Sequence, residues 1–600
     1  MSRLLSFTLL ALPVAIFAAG TGTKDDPLTI SSVEEFVQFR DAVNDSSEYG
    51  GVKLVDGAKG LWFSLKSDID LSSVCGKGVG SWTPIGPFAG SFNGGGHTIS
   101  NLYMDETYLK SVGVFGQLFG GEDTLVIKDV HLADFTMNFE TETIYGGAVA
   151  SQAVMGNIVI SDVIVENLNF TLKGDGVLTN GFSAMIGGVI GNTVATSLEI
   201  SNSNISGSIT STDGETDIGG IMGAAPSPVI LHDNEVDVDI KVVNSDGGFG
   251  GLVGEMVSKF NISGNVSKGD IKADSLKGYS YVGGIFGVNP FASMGDVLEN
   301  CKNTGKIEAS GTELAVGGIA GFLSGNAQVK ISNVTNEGEV IVAALGTGSE
   351  PIVGGVAGIY DVETAEGFVN QANITVKNAS TTYAGGIGGY IRDLQDSVTL
   401  KECENHGDIV IQNDNEDEDD WTVYAAGIIG NAGEAKAVAI EGRNVADGEI
   451  NVSGKALLRE AFVSTIVYVK GPVPVIALDD VIDHVELNVK ELSPKKSAGD
   501  DEDKGSGDDG ENGKSAVAQG FAFDVLPLAY RVNRTPFGWN VEFIRNEAVS
   551  DVKILDLRGK RLNAAVTKNA RGFDIAGVPV NGAYIISIET KNGVKNIKVN

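Results

Sequence analysis

The stretch "YVGGIFGV" (281–288) returns as "AVGGIAGF" (315–322), "IVGGVAGI" (352–359) and "YAGGIGGY" (383–390). Upstream the same phrase reads "SVGVFG" (111–116), "YGGAVA" (145–150), "IGGVIG" (186–191), "IGGIMG" (218–223) and "FGGLVG" (249–254), and "AAGIIG" (425–430) closes the series. Ten copies stand at intervals of 31 to 37 residues, with two of 41. A fixed period of this size marks a repeat architecture.

Midway between copies a second phrase recurs: an aliphatic residue, an Asn or Asp corner, a glycine and an alternating strand. Examples are "ENCKNTGKIEAS" (299–310), "ISNVTNEGEVIVA" (331–343) and "KECENHGDIVIQ" (401–412). Val, Ile and Thr alternating with polar residues read as short half-buried strands, and Asn and Gly supply left-handed backbone at corners. Each unit is therefore about three strands and three bends, too small to bury its own apolar face. Stacking the units as coils pairs each strand in parallel with the next coil and makes one continuous core. A β-propeller blade needs four strands over about 40–45 residues. The sequence instead predicts an all-β parallel β-helix of about ten coils, roughly 50 Å long at ~4.8 Å per coil. The paired glycines are expected where the chain bends tightly or where coils pack too closely for a side chain.

The cysteines test this register. Cys301 in "CKNTG" and Cys403 in "CENHG" stand four residues before a glycine, the slot that Val334 fills in "VTNEG". They are expected in one inward apolar slot, three coils and so ~14 Å apart, too far to bond. With Cys75 the chain has three cysteines, an odd number, and no paired Cys-x-x-Cys zinc spacing.

The "GGhhG" phrase followed by "N-x-G-x-h" resembles the GLUG repeat of bacterial surface proteins over about residues 110–450. The lead-in is similar too: "GTGTKDDPLTISSVEEFVQFRDAVN" (20–44), "FSLKSDIDL" (63–71) and "WTPIGPFAGSFNGGGHTISNLYM" (82–104). The resemblance implies an adhesin-like protein at the cell surface.

Residues 1–19 pair Arg3 with an apolar run from Leu4 to Phe17 and small residues after it, the pattern of a secretory signal peptide. Residues 20–110 are read as an amino-terminal cap and first coils, with a capping helix over 32–43. Ser32 and Glu35 have capping-box spacing, and Val33, Phe36, Val37 and Val43 are expected on its buried face. Residues 111–450 carry the repeat, and 451–497 read as a last coil or closing cap. Residues 498–516, which include "AGDDEDKGSGDDGENGKS", form an acidic, Gly-rich linker. Calcium ligation there lacks the ordered Asp-x-Asp-x-Asp-Gly spacing.

Residues 517–600 read as a small β-sandwich, with Asn592-Gly593 as a hairpin turn. "VKILDLRGKRL" (552–562), "NGAYIISI" (581–588) and "KNIKVN" resemble the carboxy-terminal sorting domains recognised by the type IX secretion machinery. That likeness implies attachment to the outer membrane surface.

Chemistry is harder to find. The net charge of −35 argues against nucleic acid and anionic membrane partners. No stretch after the leader approaches eighteen uninterrupted apolar residues, so no transmembrane span is expected. His97, His131, His232, His406 and His484 are the five histidines, and none stands in His-Glu-x-x-His. That removes the metalloprotease reading known for some GLUG-bearing proteins that cut immunoglobulin A. Neither Gly-x-Ser-x-Gly nor a phosphate-loop motif occurs. Asp68 and Asp70 share one strand face but read as fixing the first turn, and His97 as a structural hydrogen bonder. "NDNEDEDDW" (413–421) reads as a solvated loop, in which Trp421 is the one tryptophan placed to serve an exposed site. Trp62, Trp82 and Trp539 do not recur at the repeat period.

No catalytic, metal or cofactor-binding residue is assigned on these grounds. The expected function is a non-catalytic surface stalk or adhesin, its partner a polysaccharide or other cell-surface ligand. The alternatives are a secreted polysaccharide lyase or glycosidase, and a structural envelope protein.

Overall fold

The computed structural model describes residues 20–454 apart from 107–110, 141–143, 175–183, 292, 327, 392–397, 416–420 and 434–437; beyond 454 it describes strand segments. The proposed leader and acidic linker lie outside the described residues, as does His484.

The chain winds into a parallel β-solenoid of about eleven turns. One coil shows the plan: Val297–Glu299, Lys302–Asn303, Ile307–Gly317 and Ala320–Gly325 follow one another, and the next coil begins at Lys330–Ser332. Each strand pairs in parallel with its counterpart one coil on, for example Leu298 with Ile331, Asn303 with Asn336 and Phe322 with Ile359. Three faces result. One has fourteen strands, one has ten, and a third carries two or more strand segments from each turn. The ten-stranded face takes one strand from each copy of the glycine phrase. The expected three strands per unit become four because the Asn-Gly turn divides the longest face.

The array also extends past the glycine phrases at both ends. Leu28–Ile30, Trp62–Leu65 and Ser91–Asn93 already belong to the fourteen-stranded face, and Val475–Ala477 is its last strand. The segment after 451 is thus a further coil, since Ile450–Gly454 pairs in parallel with Leu487–Val489.

Two columns of residues set the coil shape. Asp129, Asp162, Asn202, Asp233, Asn300 and Asn333 all have φ between 50° and 56°, at the same corner of their coils, with Gly264 at φ 67° in the coil between Asp233 and Asn300. Asn and Asp tolerate this region through local side-chain hydrogen bonds, so the polar corner read from sequence is a left-handed one. Three residues further along, from the sixth copy onward, run Asn303, Asn336, Asn370 and Asn405, all buried. Each Nδ2 donates to the next Oδ1, at 3.0, 2.9 and 2.7 Å along the column.

The paired glycines answer to this ladder. A Cβ at Gly355 would lie 2.4 Å from Asn370 Cγ and 2.1 Å from the Gly386 carbonyl oxygen. The phrase "GG" and the phrase "N-x-G" recur together because one makes room for the other across the interior.

Cys301, Val334, Phe368 and Cys403 form a single inward column, so the two cysteines are three coils apart as expected. The amino-terminal helix spans Val33–Asn44, with Ser32 Oγ accepting from Glu35 N at 3.3 Å. Its buried face differs from the expected one. Phe39 and Ala42 join Phe36 and Val43, while Val33 and Val37 are only partly buried. Phe39 lies 4.5 Å from the Phe63 ring and Phe36 stacks on Trp82 at 5.5 Å, so aromatic bulk closes the first coil against solvent.

The carboxy-terminal strands form two antiparallel sheets. Tyr530–Thr535, Gly538–Phe543, Gly572–Ala576 and Ala565–Lys568 make one; Val549–Asp556, Tyr584–Thr590 and Gly593–Val599 make the other. Residues 591 and 592 of the expected hairpin turn lie outside the described residues.

Candidate binding crease

The glycine bend is re-entrant. Val282, Val316, Val353 and Ala384 point into the main core from the strand before the bend, and Phe286, Ala320 and Ala357 from the strand after it. The residues at the outer ends of each phrase point the other way and meet outside the solenoid. Val288, Ala315, Phe322 and Ile359 are at most 7% exposed, yet they form a cluster separate from the core, with Tyr281 and Ile352 packed against it. The first and last letters of "YVGGIFGV", "AVGGIAGF" and "IVGGVAGI" therefore line a crease parallel to the solenoid axis.

Aromatic rings continue it. Tyr281 and Phe322 lie 6.2 Å apart, Tyr383 and Tyr390 5.1 Å, and Tyr383 stacks on Tyr424 at 5.0 Å with planes 5° apart. Burial, followed by the nearby Glu350 carboxylate, raises the Tyr383 phenol well above its ordinary range. Tyr281, Tyr390 and Tyr424 keep partly exposed edges. Toward the amino terminus the crease turns polar: Gln117 Nε2 donates to Gln152 Oε1 at 3.0 Å. Asp217 and Glu255 stand between the two zones. Asp217 Oδ1 accepts from Gly248 N at 3.0 Å. Burial, then Asp217 and Glu215, push the Glu255 carboxyl up to about 8.

The residues singled out from sequence lie elsewhere. Trp421 is fully buried and faces the core, which corrects its expected exposure: the strand Trp421–Ala426 alternates inward from its first residue. Asn413 is buried too, with Nδ2 donating to the Ala379 carbonyl at 3.0 Å, while 416–420 lie outside the described residues. Asp68 Oδ1 accepts from Thr98 N and Asp70 Oδ1 from Ser72 N, both at 2.9 Å, so this pair does fix the first turn. His97 faces Asp68 at 3.4 Å, in line with a hydrogen-bonding role. Among the described residues no group of three His, Cys, Asp or Glu side chains is arranged to hold a metal ion.

The crease aromatics are tyrosine and phenylalanine, so the spacing of the tryptophans does not point to it. The available signal was the apolar residue on both flanks of the glycines, where a half-buried strand end is ordinarily polar.

No family model matches the chain. A provisionally named Gly-rich membrane protein of Evansella cellulosilytica is 28% identical over 158 residues, which is 25% of this chain and 16% of that protein. Halomucin of Haloquadratum walsbyi is 30% identical over 162 residues, 24% of this chain and 2% of its own length. This chain thus spans under a fifth of either relative. A crystal structure from Bacteroides ovatus, provisionally named an immunoglobulin A1 protease, aligns with a TM-score of 0.35 and 19% identity, covering 48% of this chain and 80% of that one. Among the described residues no helix is long and apolar enough to cross a membrane.

Proposed function

We propose that the protein is a stiff, non-catalytic binding stalk at a bacterial cell surface, engaging a surface polymer, polysaccharide or protein, along the crease. The observation that carries this reading is the outer apolar column itself. Tyr281, Phe322, Ile352, Tyr383, Tyr390 and Tyr424 stand along one line outside the core. Aromatic side chains with one wet edge suit recognition of sugars and extended polypeptides. Surface placement is supported by the export-like leader, the sorting-domain resemblance of 517–600, and the membrane-protein name of one relative. The carboxy-terminal module would then pass through the type IX machinery and hold the stalk at the outer membrane.

The test incubates the purified chain with a panel of polysaccharides and intact cell surfaces, recording retained protein and released sugar in the same tubes. Retention without product, weakened by Tyr390→Ser and Tyr424→Ser together, supports the stalk. Retention indifferent to those changes, or none on any surface, overturns it.

Asp217 and Glu255 favour a second reading. A carboxyl held protonated near neutral pH beside a second carboxyl is the pairing that glycoside hydrolysis uses. Sugar release that is lost in Glu255→Gln would establish it in place of the non-catalytic stalk.

A further inference from the structure

At its amino-terminal end the crease carries amides beside an apolar strip. Gln117, Gln152 and Asn192 pair in register on three successive coils of the ten-stranded face, and the same column runs on through Ala224 to Glu255. Two residues further along each strand, and so on the same outer side, Phe119, Val154 and Val194 form a second column. Val194 is 48% exposed, and Phe119 and Val154 are half-buried. Tyr145 and Met185, paired on the strand before the bend, close the other flank. None of these side chains is charged.

Asn192 gives an independent pointer to a ligand. It is 4% exposed, its Nδ2 donates to the Met185 sulfur, and its Oδ1 has no hydrogen-bond partner. An orphaned buried carbonyl is costly and a thioether is a weak acceptor, so the protein alone satisfies this amide poorly. Met185, which lies against it, is half-buried and has a flexible side chain that can give way. The interior asparagines are built differently. Asn336 donates to Gly338 and Asn370 and accepts from Gly338 and Asn303. In the outer column the Gln117–Gln152 bond uses one donor and one acceptor, which leaves the Gln117 carbonyl and the Gln152 amino group for another partner.

We propose that the crease from Gln117 to Glu255 is a subsite for a neutral hexose polymer lying along the solenoid axis. Its hydroxyl edges meet the amide column, and its C–H faces lie on Phe119, Val154 and Val194. This rests on the crease being the ligand-binding face, and it names the chemistry of the ligand. A sugar hydroxyl both donates and accepts, as an amide does, and a pyranose ring presents apolar faces between polar edges. Successive coils advance by ~4.8 Å, close to the advance of one pyranose unit in an extended chain, so one contact repeats at every coil. An extended polypeptide turns the same side only every second residue, about 6.7 Å apart, and falls out of step with the coils. An anionic glycan would find no cation in these columns to offset its desolvation.

The test is calorimetric titration of the full chain with cellohexaose, laminarihexaose, maltohexaose and mannohexaose, beside hexagalacturonate and an uncharged peptide alternating threonine with alanine. A neutral hexasaccharide is expected to bind, and hexagalacturonate and the peptide are not. Gln117→Leu with Gln152→Leu should weaken binding about tenfold or more, because two amides that meet hydroxyls are lost. Val194→Glu, at an exposed site that leaves the interior untouched, should weaken it as well. Val79→Glu changes a valine that is 59% exposed in the turn between Gly76 and Gly80, and should leave affinity unchanged. Circular dichroism checks the fold of each variant. Binding of no neutral hexasaccharide, binding of the peptide or hexagalacturonate in its place, or affinity indifferent to the glutamine and Val194 changes overturns the proposal. Retention on cell surfaces that stays sensitive to Tyr390→Ser with Tyr424→Ser while no hexasaccharide binds sinks the neutral-glycan subsite alone. Absence of retention on any surface sinks the stalk.

Discussion

Asn370 Nδ2 donates to Asn405 Oδ1 at 2.7 Å, side chain to side chain across two coils, and both residues are buried. The second Nδ2 hydrogen of Asn370 reaches the Ala372 carbonyl at 2.8 Å, while its Oδ1 accepts from Asn336. Each asparagine closes its own turn and ties that turn to both neighbours. A ladder of this kind fixes register, because a slip of one residue would strand every amide in an apolar interior.

Replacing Asn370 with alanine leaves Asn336 Nδ2 and Asn405 Oδ1 without these partners inside the core. The expected loss is roughly 2–4 kcal/mol, read as a lower urea midpoint for the solenoid transition. An unchanged midpoint would show that the ladder accompanies the fold without stabilising it.

The glycines divide into those that need their missing Cβ and those that do not. Gly355→Ala sets a methyl 2.1 Å from the Gly386 carbonyl oxygen and 2.4 Å from Asn370 Cγ, so coil spacing must give way. Gly116, the last glycine of the first phrase, has nothing nearer than Pro84 Cβ at 3.6 Å. Gly355→Ala should cost about 2 kcal/mol or more and Gly116→Ala about nothing, compared side by side by thermal unfolding.

These contrasts explain what the sequence made legible. Coil number, strand direction and the Cys301–Val334–Phe368–Cys403 column follow from period and alternation, since a parallel stack repeats each inward slot. The outcome at Trp421 did not follow, because an acidic run before it suggested solvent while strand alternation placed it inside. The crease was hidden for another reason. Tyr281 and Phe322 lie at opposite ends of phrases one coil apart, and only the outward concavity of the bend brings them together.

Burial governs the thiols. It pushes Cys301 up to about 11 and Cys403 to about 12, and it raises Cys75 as well, so little thiolate forms at neutral pH. All three should resist iodoacetamide in the native chain and react together in urea. Mass spectrometry of the alkylated protein checks this, and rapid labelling of Cys403 in the folded chain would contradict its place in the column.

Glu255 gives a pH dependence whose sign follows from its raised carboxyl. Its ordinary value is 4.5, and burial followed by Asp217 and Glu215 raises it to about 8 in the folded chain. Between those values the folded state holds a proton that the unfolded state has released, so its contribution to stability declines as pH rises from 4.5 toward 8. Below 4.5 both states are protonated, and the group leaves stability unchanged with pH. Glu255→Gln keeps the neutral shape and removes the titration. The variant should therefore gain melting temperature relative to the unaltered chain as pH rises through this window, and match it near pH 4. Melting curves of both proteins at several pH values decide it: parallel profiles would mean that Glu255 is ionised in the folded crease and that solvent reaches it freely.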